Sequence, residues 1–264
     1  MSLHSLENAN GLKMVVSSRG GIVMEIHTPD RDGNFADIAL GFDTIEEYDE
    51  KSPYFGAIIG RVGNRLDKGR FSVGDVDCQL YQNDGENALH GGKVGFDKVE
   101  WTVEEISGEG FVGLKLGYLS PDGEEGFPGN LDTTVIYKLT DDNEWVIEYE
   151  ATTDRPTIVN LTQHSYFNLG GHDSGDHLDH EIKIASKFIT PVNDNLIPTG
   201  EVRPTTGTPF DFSEAKAIGE EIDSDDVQLK LAGGYDHNFV IDKLPESLAN
   251  AAWVKDSKTG RTLS

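Results

Sequence analysis

The sequence has little cysteine, few basic residues and no long apolar run. Of its 264 residues only Cys78 is a cysteine, so no disulfide can form within the chain, which suits a reducing compartment. Residues 1–21 lack the apolar core of a secretory signal peptide, and no stretch approaches the roughly 20 apolar residues of a membrane-spanning helix. These absences predict a cytoplasmic protein that does not act at a membrane.

Acidic residues outnumber basic ones by about two to one. Aspartate and glutamate number 47 against 22 lysines and arginines, which gives a formal net charge of −25. A surface of this kind repels nucleic acid and anionic membranes, and it disfavours a phosphorylated substrate. A neutral small molecule is unaffected by that field, so the composition leaves a neutral substrate as the natural partner.

Apolar residues alternate with polar ones along much of the chain, and 30 glycines supply many turns. The alternation predicts an all-β fold. A hairpin turn is predicted at residues 29–34, where Asp32 and Gly33 lie between two apolar stretches. The clearest predicted strands are residues 22–28, 113–119, 133–139, 144–151 and 180–186.

Helical signals are few. Residues 45–51 and 212–222 each predict a short helix, the second with Ser213 as its N-cap. No linker, repeat or low-complexity stretch divides the chain. We therefore predict a single domain over residues 1–264, built of antiparallel sheets that pack face to face.

Four polar clusters are the candidate sites. LTQHSYFNLGG (161–171) places His164 among aromatic residues, and imidazole is the side chain that exchanges a proton near neutral pH. The other three are GRVGNR (60–65) with Arg61 and Arg65, NALHGG (87–92) with His90, and GGYDHNFVI (233–241) with Asp236 and His237. Each also has a purely structural reading: a buried histidine, an internal ion pair, a turn cap or a loop anchor.

A histidine- and aspartate-rich loop at 170–182 suggests a metal, but its spacing fits neither a zinc pair nor a calcium loop, so we predict a solvated loop. The sequence has no Gly-x-Ser-x-Gly elbow and no dinucleotide fingerprint. We expect no metal and no cofactor. The inventory suits proton transfer on a neutral polyol.

Taken in order, these motifs resemble the aldose 1-epimerase family, also called galactose mutarotases. The resemblance rests on six motifs: GRVGNR, NALHGG, EEGFPGNL (124–131), LTQHSYFNLGG, TPVNDNLIPTGE (190–201) and GGYDHNF. It implies a large antiparallel β-sandwich with an open cleft. It also implies that the chain interconverts the α and β anomers of hexoses such as glucose and galactose by acid/base-assisted ring opening, with an aldose as its partner and without a cofactor.

The resemblance assigns roles to five residues. His164 matches the general acid that protonates the ring oxygen, and His90 matches a second histidine that contacts substrate near that oxygen. Asn64 and Arg65 match a pair that binds hydroxyls, and Asp236 matches an aspartate on the far side of the ring. Tyr166 and Phe167 are expected to shape the pocket.

The sequence departs from the family in one respect: the resemblance implies a glutamate general base, and no glutamate here matches its motif. We therefore expect a chain truncated at the C-terminus that lacks the last strands of the sandwich. The alternative function is a non-catalytic sugar-binding or sensor protein of the same fold. A hexose-6-phosphate epimerase ranks last because of the charge of −25.

Overall fold

The computed structural model describes all 264 residues and divides them into two compact units. The first unit comprises residues 1–29 and 35–167, and the second comprises residues 30–34 and 168–264. All pairs of named strands are antiparallel, and the chain has only two short α-helices. The all-β prediction is confirmed, whereas the assignment of residues 1–264 to one domain stays a prediction.

The first unit holds fourteen strands and one α-helix. They are β1 (Leu3–Glu7), β2 (Lys13–Ser17), β3 (Val23–Pro29), β4 (Phe35–Asp37), α1 (Ile45–Lys51), β5 (Ile58–Ile59), β6 (Arg65–Leu66), β7 (Arg70–Val73), β8 (Val76–Gln79), β9 (Ala88–Leu89), β10 (Thr102–Gly108), β11 (Phe111–Ser120), β12 (Leu131–Thr140), β13 (Trp145–Thr153) and β14 (Thr162–Gln163).

Two four-stranded sheets, β1-β2-β3-β4 and β10-β11-β12-β13, form most of this unit. The period-two pattern explains the second sheet, because alternate residues of a strand point to one face. Leu114 pairs with Tyr137 and Leu116 with Val135, and all four side chains are fully buried. The Tyr137 hydroxyl donates to the carbonyl oxygen of Gly21 at 3.1 Å, so the buried phenol keeps a hydrogen bond.

Short strand pairs carry the polar motifs. Strand β5 pairs with β14, and β6 pairs with β9. Ile58 and Ile59 of β5 are completely buried, as β-branched residues in a covered strand commonly are. GRVGNR is thereby placed beside NALHGG, and the start of LTQHSYFNLGG is placed beside the buried β5.

The second unit holds seven strands and one α-helix. They are β15 (Glu181–Ile184), β16 (Ser186–Thr190), β17 (Arg203–Pro204), β18 (Lys216–Ala217), α2 (Val227–Ala232), β19 (Asn238–Ile241), β20 (Ala252–Lys255) and β21 (Thr262–Leu263). Its sheets run β18-β15-β20-β21 and β17-β16-β19. Ile189, Phe210 and Leu229 form a buried cluster.

The helix predictions have opposite outcomes. Helix α1 covers residues 45–51 as predicted, with Ile45 and Tyr48 buried. The helix predicted over 212–222 is wrong: Lys216 and Ala217 form strand β18 against β15, and a short 3-10 turn follows. Ser213 caps no helix there, because pairing with β15 overrides the weak local propensity.

Helix α2 escaped prediction although its end signals are in the sequence. The Asp226 carboxylate accepts hydrogen bonds from the backbone amides of Gln228 and Leu229, and Gly233 ends the helix in the left-handed conformation. Six residues are too few for a clear apolar period. No helix of the chain is long and apolar enough to cross a membrane.

Candidate functional site

His164 is held by the backbone of a buried strand pair. Its amide donates to the Ala57 carbonyl oxygen at 2.9 Å, and its carbonyl accepts from the Gly56 amide at 3.1 Å. The side chain of Gln163 donates to the Gly56 carbonyl at 2.6 Å, which fastens the same junction. His164 therefore sits on rigid backbone while its side chain stays partly exposed.

His90 follows directly on β9 and lies in the left-handed region, with φ of 52°. Two glycines come next, and the first is required sterically: a Cβ on Gly91 would lie 1.8 Å from the Gly60 carbonyl oxygen. The close approach of NALHGG to GRVGNR thus depends on this glycine.

The two histidine rings lie against each other. Their centroids are 4.9 Å apart and their planes are nearly perpendicular, at 89°. The ring of Tyr54 lies 4.6 Å from that of His90 and 5.9 Å from that of His164. Tyr166 adds a further ring 5.2 Å from His164, and it is exposed. Imidazole nitrogens thus lie beside flat aromatic faces, and this combination of polar groups and flat apolar surface suits the binding of a sugar ring.

Asn64 fixes the tautomer of His90. The Asn64 amide donates to Nδ1 of His90 at 3.0 Å. A backbone amide can only donate, so Nδ1 is the unprotonated nitrogen and the neutral ring carries its hydrogen on Nε2. His90 therefore presents Nε2–H as a hydrogen-bond donor.

Charge and burial keep His90 neutral. Burial lowers the pKa of His90 to about 4; proton binding by His164 and the charge of Arg65 act in the same direction, while Asp84 opposes them. At neutral pH the His90 ring is a donor of hydrogen bonds through Nε2 and a poor source of protons.

The low pKa of His90 predicts a pH dependence of stability. An unfolded histidine binds a proton below about pH 6.5, whereas folded His90 does so only below about 4. Between these values the unfolded chain binds more protons than the folded one. The free energy of unfolding therefore keeps the full contribution of His90 above about pH 6.5 and falls as the pH drops toward 4. In urea unfolding, His90→Gln should gain less free energy of unfolding between pH 4.5 and 7 than wild type. Equal gains would contradict the shift.

Arg65 and Arg61 differ in burial and in hydrogen-bond partners. Nε of Arg65 donates to Oδ2 of Asp84 at 2.8 Å, and the Arg65 side chain remains partly exposed beside His90. Arg61 is 2% exposed, and its guanidinium is used entirely within the fold, donating to Ser120, Pro121 and Pro128. Only Arg65 is available to a ligand.

The structure thus brings Asn64, Arg65, His90 and His164 together in the first unit, and with Tyr54 we call them the histidine site. Sequence reasoning missed Tyr54 and Asp84, because a tyrosine before a buried strand and an aspartate in a turn are ordinary features. Asp236 lies in the second unit, exposed, two residues before β19. Its neighbour His237 is packed, with its ring 4.6 Å from that of Phe210 and Nε2 3.1 Å from Oε1 of Gln228.

The loop at 170–182 differs from the solvated loop that was predicted. His180 is 4% exposed, and its Nε2 accepts a hydrogen bond from the Leu169 amide at 2.9 Å. One histidine of this loop is therefore a structural acceptor, whereas His172 and the aspartates Asp173, Asp176 and Asp179 are exposed as expected.

Comparisons with known proteins agree with the motifs. Residues 2–264 match the family model described as aldose 1-epimerase. A galactose mutarotase from Sus scrofa is 41% identical over 252 residues, which are 96% of this chain and 70% of the relative. An aldose 1-epimerase from Escherichia coli strain K12 is 37% identical over 258 residues, covering 97% of this chain and 73% of the relative.

Solved structures give the same picture. The crystal structure of a galactose 1-epimerase from Lactobacillus acidophilus NCFM superimposes with a TM-score of 0.84 at 30% identity, covering 96% of this chain and 72% of the other. A homologue of aldose epimerases from C. elegans gives a TM-score of 0.83 at 28% identity, with 98% and 76% covered. The likeness confirms the predicted fold class.

Proposed function

We propose that this chain, which belongs to the aldose 1-epimerase family, interconverts the α and β anomers of aldohexoses by acid/base-assisted ring opening. The observation that carries the proposal is the facing pair His90 and His164, beside Arg65 and aromatic faces. Two imidazoles in different environments can take different roles at one sugar oxygen: one transfers a proton, and the other donates a hydrogen bond. Family membership supports the reaction class.

We assign the acid role to His164. In the forward reaction a solvent water takes the proton of the anomeric hydroxyl, since no glutamate here matches the family's general base; the electron pair forms the aldehyde carbonyl, and the bond from C1 to the ring oxygen breaks. His164 gives its proton to that departing oxygen. Rotation about C1–C2 presents the other carbonyl face, and the reverse transfers close the ring as the opposite anomer. A positioned acid of this kind contributes about 10²–10⁴-fold.

The neutral state of His90 favours this division. With a pKa of about 4, His90 holds no second proton to give at neutral pH. Its Nε2–H can instead donate a hydrogen bond to the same oxygen as negative charge develops there. His164 is thereby left as the imidazole that transfers the proton.

The remaining polar groups suit hydroxyl binding. Arg65 has a planar fork that can bind two neighbouring hydroxyls, and Asn64 lies next to it. We also propose Asp236 as a hydroxyl-binding residue, as the resemblance implies. Tyr54 and Tyr166 offer aromatic faces to the ring. A neutral hexose is the substrate class, in keeping with the charge of −25, and the single cysteine supports a cytoplasmic location.

The function is tested by polarimetry. Freshly dissolved α-D-galactose or α-D-glucose should reach its equilibrium rotation faster with the protein than in buffer alone, and glucose 6-phosphate should respond less. Heat-denatured protein is the control. Absence of both acceleration and calorimetric sugar binding would refute the proposal, and saturable binding without acceleration would instead favour a non-catalytic sugar-binding protein.

A further inference from the structure

We propose that Asn83 and Asp84 are positioning residues of this reaction: Asp84 orients Arg65, and Asn83 fixes the segment that carries His90. The inference rests on the proposed function, since it concerns residues assigned there to sugar binding. Both residues lie between β8 and β9. Asp84 begins a turn closed by two hydrogen bonds between the backbones of Asp84 and Asn87, at 3.1 and 2.9 Å, and Asn83 directly precedes it.

Asp84 determines how the Arg65 guanidinium faces. Its Oδ2 accepts the hydrogen of Nε at 2.8 Å, and both terminal Nη groups are left without a protein hydrogen-bond partner. Because the guanidinium is planar and its donors are rigidly arranged, a contact at Nε sets the directions of all the others. Asp84 therefore leaves the two terminal nitrogens available for sugar hydroxyls.

The Asn83 side chain holds the backbone on both sides of His90. Its Nδ2 donates to the carbonyl oxygens of Leu89 and Gly92, each at 2.9 Å, and its Oδ1 accepts from the Leu89 amide at 2.8 Å. These bonds hold the backbone on which His90 adopts its left-handed conformation. Nδ2 also lies 3.4 Å from the hydroxyl of Tyr54, whose ring contacts His90.

Neither residue contacts the reacting atoms, so their effects should appear through Arg65 and His90. Displacement of a catalytic or binding group by about 1 Å costs on the order of 10²-fold in rate. We expect Asp84→Asn to raise KM by about 5–30-fold with kcat almost unchanged, because hydroxyl binding is shared by ground and transition states. We expect Asn83→Ala to lower kcat/KM by about 10–100-fold.

Double-mutant cycles separate positioning from general destabilisation. In an Arg65→Ala background, Asp84→Asn should have no further effect on KM or on the Kd for galactose measured by calorimetry. In a His90→Ala background, Asn83→Ala should likewise have no further effect on kcat/KM. Losses that simply add in these backgrounds would overturn the inference.

Matched controls lie elsewhere in the first unit. Asp77→Asn removes a carboxylate that accepts from the Ser72 hydroxyl on the β7–β8 hairpin. Asn130→Ala removes an exposed amide side chain with contacts to Asp122 and Asp154. Both variants should keep wild-type KM and kcat. A loss of activity in these controls equal to that of the test variants would also overturn the inference.

A readout without sugar distinguishes this inference from the proposed function. The ¹⁵N shift of His90 Nδ1 reports the hydrogen bond from the Asn64 amide, so it should move in Asn83→Ala and stay in place in Asn130→Ala. If wild type accelerates mutarotation but the cycles are additive and this shift is unchanged, the inference fails and the function stands. If wild type neither binds galactose nor accelerates mutarotation, both fail.

Discussion

Replacing His164 by alanine is expected to slow catalysed mutarotation by about 10²–10⁴-fold, the contribution of one positioned acid. His90 cannot substitute for it, because its pKa of about 4 leaves it without a proton to give at neutral pH. The fold should be preserved, since the bonds that His164 makes to Ala57 and Gly56 involve only backbone atoms. Polarimetry on the α-anomer of galactose measures the effect.

A second substitution separates proton transfer from hydrogen bonding. His164→Gln keeps a polar side chain that can donate a hydrogen bond but cannot transfer a proton near neutral pH, so it should be almost as impaired as the alanine variant. His27→Ala is the matched control, because His27 is a partly exposed strand histidine of the same unit that contacts Glu25. Full activity in a folded His164→Ala variant would end the assignment.

Local pattern was sufficient for the large strands. The predicted segments 113–119 and 133–139 fall within β11 and β12, and 144–151 overlaps β13 from Trp145 onward. Strand β12 shows the expected alternation of buried and more exposed residues, whereas β13 has no buried residue. The segment 180–186 was only partly right: β15 ends at Ile184 and β16 begins at Ser186, so one predicted strand is two. The alternation of apolar residues shows neither which strands pair with each other nor that the strand is interrupted at residue 185.

Long-range contacts limited the prediction of the site. Its histidines and Arg65 stand in recognisable motifs, whereas Asn83 and Asp84 occupy a turn composition that any hairpin could have. Their meaning comes from the pairing of β6 with β9, which brings Arg65 opposite Leu89. The sequence offered no way to foresee that pairing. Residue type and spacing did not separate Arg61 from Arg65, both arginines of one short glycine-bearing motif; only the family resemblance singled out Arg65, and the structure shows that Arg61 is buried.

Burial makes Arg61 a structural residue, and replacing it should be costly. Nε donates to the Ser120 hydroxyl at 2.8 Å, and the terminal nitrogens donate to the carbonyl oxygens of Ser120, Pro121 and Pro128 at 3.0 to 3.1 Å. The Ser120 hydroxyl in turn donates to the Glu124 carboxylate. The Arg61 guanidinium therefore donates all four of the hydrogen bonds that hold Ser120, Pro121 and Pro128 around it.

Arg61→Leu takes the donor away from the buried hydroxyl and carbonyl oxygens of Ser120 and leaves the Glu124 carboxylate without its nearby positive charge. Removing one member of a buried charged network typically costs about 3–5 kcal/mol, far more than a surface substitution. We expect urea unfolding to give a free energy of unfolding lower by about that amount. Arg61→Lys should recover only part of the loss, because an ammonium group cannot reproduce the planar fork.

The matched control is Arg70→Leu. Arg70 is exposed, and its Nε donates only to Oε1 of Gln79 on the neighbouring strand. Its removal should leave the unfolding midpoint almost unchanged, because no buried acceptor loses its donor. Equal losses in the two variants would mean that charge rather than burial sets the cost. A wild-type midpoint in Arg61→Leu would mean that water replaces the guanidinium without penalty.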